Sequence, residues 1–137
     1  MNTIMFLKIG IMGIALGIIL GAFGAHSLKD VFTQYEMEIW NKGIFYQITN
    51  CIGLILIIIL FKINIIKDSK LSMGILTTGV IFFSGSLYII ALSNVFLDTK
   101  HLLKTLMIPV TPIGGSLIIL SWLILLFKIN KDIINKH

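Results

Sequence analysis

The chain has 137 residues, of which 57% are hydrophobic and 12% charged, and its mean hydropathy is +1.01. That is more apolar surface than a soluble domain of this length can hide from water, so the chain belongs in a bilayer. The net charge of +5 comes entirely from lysine, without the interleaved aromatics of a nucleic-acid surface, and the single cysteine, Cys51, excludes disulfides within the chain and cysteine-pair metal sites.

Four apolar stretches, about residues 5–25, 44–61, 72–96 and 106–127, each approach the ~20 residues needed to cross ~30 Å of hydrocarbon as a helix. The predicted fold is therefore all-α: a polytopic membrane protein built as one four-helix transmembrane bundle over residues 1–137. In the first stretch Gly13, Gly17, Gly21 and Ala25 put a small residue at every fourth position, a groove that lets a neighbouring backbone approach closely. A signal peptide cleaved near Ala22-Phe23-Gly24 needs no such groove and has a shorter apolar region, which favours a span. The stripe runs into Gly21-Ala22-Phe23-Gly24-Ala25-His26, where the helix is expected to stop.

Leu28, Val31, Phe32, Tyr35 and Ile39 then recur at helical spacing among Lys29, Asp30, Gln34, Glu36 and Glu38. This pattern predicts a short interfacial amphipathic helix between spans 1 and 2, capped by Ser27 or Asp30 and closed by a turn at Asn41-Lys42-Gly43. An ordinary connector anchored at the interface by Trp40 fits the same residues. The second span opens with Tyr46, Gln47 and Asn50 on one face before turning wholly aliphatic.

The third span carries Phe82-Phe83-Ser84-Gly85-Ser86-Leu87-Tyr88, with Gly74, Thr78 and Gly85 as a second small-residue seam. In the fourth, Thr111-Pro112 reads as an N-cap and first helical position, which would leave Pro112 to Phe127 as the true span and residues 106–110 irregular. The alternative is one longer helix kinked at Pro112. A short echo links Leu60-Phe61-Lys62-Ile63-Asn64 with Leu126-Phe127-Lys128-Ile129-Asn130, fitting either a duplicated hairpin or two similar lysine-bearing helix exits.

With four spans, Lys8, Lys62, Lys67, Lys70, Lys128, Lys131 and Lys136 share one side against Lys29, Lys42, Lys100 and Lys104 on the other. The excess predicts a bacterial inner-membrane protein with both termini cytoplasmic.

Gly21-Ala22-Phe23-Gly24-Ala25-His26-Ser27-Leu28, Tyr46-Gln47, Phe83-Ser84-Gly85-Ser86-Leu87-Tyr88 and Thr111-Pro112-Ile113-Gly114-Gly115 with Trp122 together resemble the small four-span membrane proteins of domain-of-unknown-function family 423. The resemblance runs through essentially the whole chain in order. It implies location and fold and supplies no reaction, because the family has no established activity. The family usually has a histidine one turn after Tyr-Gln, where this chain has Asn50.

Topology and spacing gather His26, Tyr46, Gln47, Asn50, Ser84, Ser86, Tyr88 and Thr111 toward one level of the bilayer. Two roles follow. In the first, these groups are interhelical hydrogen bonds and the protein acts through packing or interaction, as a homo-oligomer or with a membrane partner. In the second, they line an outward-facing pocket in which the amides of Gly114 and Gly115, at a helix start, hold a lipid headgroup or a small anion. Catalysis by Ser84 or Ser86 with His26 is disfavoured by their separation and by the lack of an orienting carboxylate within a span. His26 with His101 is too sparse for a metal site, and no cofactor is expected.

Overall fold

In the computed structural model, which describes residues 3–67, 69–96 and 102–130, the chain forms four long helices: α1 Thr3–Phe23, α2 Gln34–Lys62, α3 Lys70–Phe96 and α4 Leu102–Leu126. All four are long and apolar enough to cross a membrane. Together with its relatives below, this makes the chain an integral membrane protein.

α1 does not stop at the glycine-rich stretch. It passes into a single π-helical turn, Gly24–Leu28. Trp40 donates its indole N–H to the Leu20 carbonyl at 3.0 Å, the group that the Gly24 amide would take in a regular α-helix. A side chain entering the ladder in this way is a recognised cause of a widened turn.

The amphipathic stretch is not a separate helix. Its second half, from Gln34, is the start of α2, which runs unbroken for 29 residues through Asn41-Lys42-Gly43. The cap is Thr33 rather than Ser27 or Asp30: its side chain and backbone pair reciprocally with Glu36 in a capping box. Gly43 serves packing instead of turning, since a Cβ there would lie 2.7 Å from the Tyr88 ring. At the other end α2 closes in a Schellman motif. Asn64 takes the left-handed conformation (φ 62°), its amide reaches Phe61 O at 3.1 Å, and that of Ile65 reaches Leu60 O at 3.0 Å.

The two echoed segments meet. Lys67 N donates to Lys128 O and Asn130 N to Ile65 O, both at 2.8 Å, so Ile66 and Ile129 face each other as a one-rung antiparallel bridge tying the exits of α2 and α4 together.

Both prolines lie inside α4, so Thr111 caps nothing and residues 106–110 are helical. Proline is tolerated in a membrane helix where neighbours and hydroxyls compensate the freed backbone groups. Thr111 Oγ1 donates back to Met107 O at 3.3 Å, one turn earlier.

α3 and α4 make the closest backbone approach. A Cβ on Gly114 would collide with the main chain of Phe83, and one on Gly79 would sit 2.9 Å from Ile118 N. α1 packs on α2 through glycines. Gly13 abuts the Cys51 sulfur, a Cβ on Gly17 would lie 2.5 Å from Ile48, and Gly10 and Gly24 face Ile55 and Trp40. One core cluster joins Phe6, Leu54, Ile57, Met73, Leu76 and Ile118, and a second joins Leu28, Phe32, Trp40 and Ala91. α1 touches α3 only marginally.

Candidate binding cleft between α1, α2 and α3

Because α1 leans on α2 and hardly meets α3, a cavity of ≈ 370 Å³ is left between them. Ile9, Met12, Gly13 and Leu16 of α1 form one wall. Gln47, Asn50, Cys51 and Leu54 of α2 form the floor, and Leu76, Thr77, Val80, Ile81, Ser84, Gly85 and Tyr88 of α3 form the other wall. Met12, Leu16 and Ile81 at the rim are exposed, so the cleft opens sideways toward the acyl chains rather than to water.

The polar groups of this cleft are fixed by neighbours. Gln47 donates to the Gly13 carbonyl at 2.7 Å, and its own oxygen accepts the Tyr88 hydroxyl at 2.9 Å, linking all three helices. Asn50, 5% exposed, donates to Tyr46 O at 2.8 Å and accepts the indole N–H of Trp122 on α4 at 3.2 Å. Thr77 Oγ1 bonds back to Met73 O at 2.8 Å.

Ser84 is the exception. It is 2% exposed and its hydroxyl has no partner, although a helical serine ordinarily bonds back to a carbonyl one turn earlier, as Thr77 does. A buried hydroxyl without a partner costs about 1–3 kcal/mol, and more where no water competes. Ser69, Ser72, Asn94 and Asn130 also carry an unpartnered atom, but of these only Ser84 lines this cleft.

The remaining sequence candidates go elsewhere. Ser86 and Thr111 bond each other at 2.7 Å within the α3–α4 seam. Gly114 and Gly115 lie mid-helix against Phe83, so their amides do not form a helix start and the anion cradle predicted there is not built. His26 is exposed on the π turn and does not line the cleft, so no Ser–His pair forms. Tyr46 is outside the cleft, its ring 4.8 Å from that of Phe83. In the packing set, Gly13 and Gly17 are close-contact residues, Gly21 meets only Ile44 at 3.9 Å and Ala25 is exposed. Gly85 packs against nothing: a Cβ there would meet no atom within 4 Å, and it lines the cleft instead.

His101 lies outside the described residues; among those described, no three His, Cys, Asp or Glu side chains cluster as a metal site would need. Sequence reasoning overlooked Cys51 and Thr77 as lining residues and Trp122 as the partner of Asn50. The last carried a signal, since an indole N–H in an apolar span must find an acceptor.

Comparison with known proteins agrees with this architecture. The family described as a protein of unknown function (DUF423) matches residues 20–115. The chain belongs to this family. A membrane protein of Staphylococcus epidermidis named UPF0382 is 34% identical over 92% of this chain and 95% of its own length. The UPF0382 membrane protein YwdK of Bacillus subtilis is 28% identical over 88% and 91%, and a UPF0382 membrane protein of Haemophilus influenzae is 31% identical over 79% of each chain. No solved structure matches the chain. The DUF423 match covers the π turn, all the polar cleft residues and the Gly79–Gly114 seam, and the family carries no assigned activity.

Proposed function

We propose that this DUF423 protein binds a lipidic molecule that enters the cleft between α1 and α3 from within the bilayer. One observation carries the reading: a buried, unpartnered Ser84 hydroxyl on the wall of a laterally open, mainly apolar cavity. A small-molecule site has this constitution, an apolar lining with a few fixed polar groups. The interhelical bonds of Gln47, Tyr88, Asn50, Trp122, Ser86 and Thr111 support the packing role for those residues, and Ser84 is the polar group that role leaves over. Binding rather than catalysis is the proposed activity, because the cleft sets no base beside Ser84. The lysine excess favours an inner-membrane protein with both termini cytoplasmic.

Native mass spectrometry of protein extracted from its own membranes tests the binding. The parent chain should retain a small lipidic mass that is lost on Gly85→Leu, which fills the cleft. A bare parent chain overturns the reading. Reporter fusions joined after Lys70 and after Lys100 test the orientation, and an external signal at Lys70 would reverse it.

A further inference from the structure

The cleft's unused hydrogen-bonding capacity defines the head of its ligand. The Gln47 and Asn50 amides each have one N–H beyond the bonds described, and Tyr88 and Thr77 have used their protons but keep oxygen lone pairs. Ser84 has both its proton and its lone pairs free. The lining thus carries donors and acceptors together, which suits a hydroxyl or an ester carbonyl. Among the described residues lining the cleft none is charged, so an ionised head would be buried without a counter-charge at high cost. The volume, ≈ 370 Å³, falls at the small end of ligand cavities, and the exposed rim of Met12, Leu16 and Ile81 leads an apolar chain out into the lipid.

From these observations, and resting on the cleft-binding reading above, we infer that the ligand is an uncharged single-chain amphiphile, a long-chain alcohol or a monoacylglycerol, whose hydroxyl or ester carbonyl pairs with Ser84. The sole cysteine of the chain lies in the cleft floor and reports occupancy directly.

The experiment measures the rate at which a membrane-permeant maleimide labels Cys51 in full-length protein in phosphatidylcholine vesicles. The vesicles carry added 1-monooleoylglycerol, oleyl alcohol or, at a pH where it is ionised, oleate at equal mole fraction. The two neutral lipids should slow labelling by about tenfold relative to oleate, equivalent to about 1.4 kcal/mol of preference. Ser84→Ala should abolish that protection while raising the melting temperature of the empty protein, because it removes an unpaired hydroxyl and improves helix propensity. Equal protection by oleate, or protection that persists in Ser84→Ala, overturns the assignment of the head group and leaves the cleft reading standing. Absence of protection by all three lipids overturns both. If Cys51 is unreactive in vesicles without additive, photolabelling decides instead: a diazirine-bearing long-chain alcohol should crosslink to α1 and α3 and the matching fatty acid should not.

Discussion

The two faces of α3 solve the same packing problem in opposite ways. Toward α4, Gly79 meets Gly114 so closely that neither position has room for a Cβ; Ser86 pairs with Thr111 and Ser121 with the Ser72 carbonyl, while the Ser72 hydroxyl is enclosed in the seam without a partner. Toward α1, Gly85 meets nothing within 4 Å, a cleft remains, and Ser84 is unpaired. Small residues permit close approach without compelling it. In lipid, where no hydrophobic drive pushes helices together, a glycine stripe becomes a seam only if the partner helix presents a matching low surface. α4 does so with Gly114, whereas α1 turns its glycines toward α2.

Substitutions can break that contrast. The largest effect is expected for Gly114→Leu, whose side chain has only the Phe83 main chain to displace. It should cost more than the ~1–3 kcal/mol typical of overpacking and leave little folded protein, as read by size-exclusion chromatography in detergent. Gly17→Leu meets the movable side chain of Ile48 instead, and should lower stability by about 1–3 kcal/mol in a thermal melt. Trp122→Phe removes the donor to Asn50 and strands a buried acceptor, at about 1–2 kcal/mol by the same measurement. A double-mutant cycle of Ser86→Ala with Thr111→Val should return a coupling of about 0.6 kcal/mol. Gly85→Leu sharpens the comparison from the other side, since it should leave the stability read from the thermal melt within about 0.5 kcal/mol of the parent. A collapse on Gly85→Leu as deep as that on Gly114→Leu would erase the distinction between the two faces.

The errors of sequence reading all concern partners. Asn41-Lys42-Gly43 has turn composition, yet Gly43 is helical because the Tyr88 ring lies against it. Thr111-Pro112 has the grammar of a helix start, yet α4 begins at Leu102 and runs through both prolines. Gly74, Thr78 and Gly85 have seam spacing, yet the residue one position further on, Gly79, is the one that faces α4. Polar residues told a similar story. Gln47, Asn50, Ser84 and Tyr88 do converge, but Ser86 and Thr111 form a separate pair and His26 belongs to neither group.

From the residues alone came the medium, the helix type, the number of spans and the candidate polar residues. These follow from hydropathy and from the requirement that every backbone amide in lipid be satisfied within its own segment, both of which are local properties. Only the tertiary structure decided which glycines touch backbone, which hydroxyls lack a partner and where a cleft opens. Those depend on the rotation of each helix about its axis, which is fixed by the surface of the helix it meets and is written in no single stretch of chain.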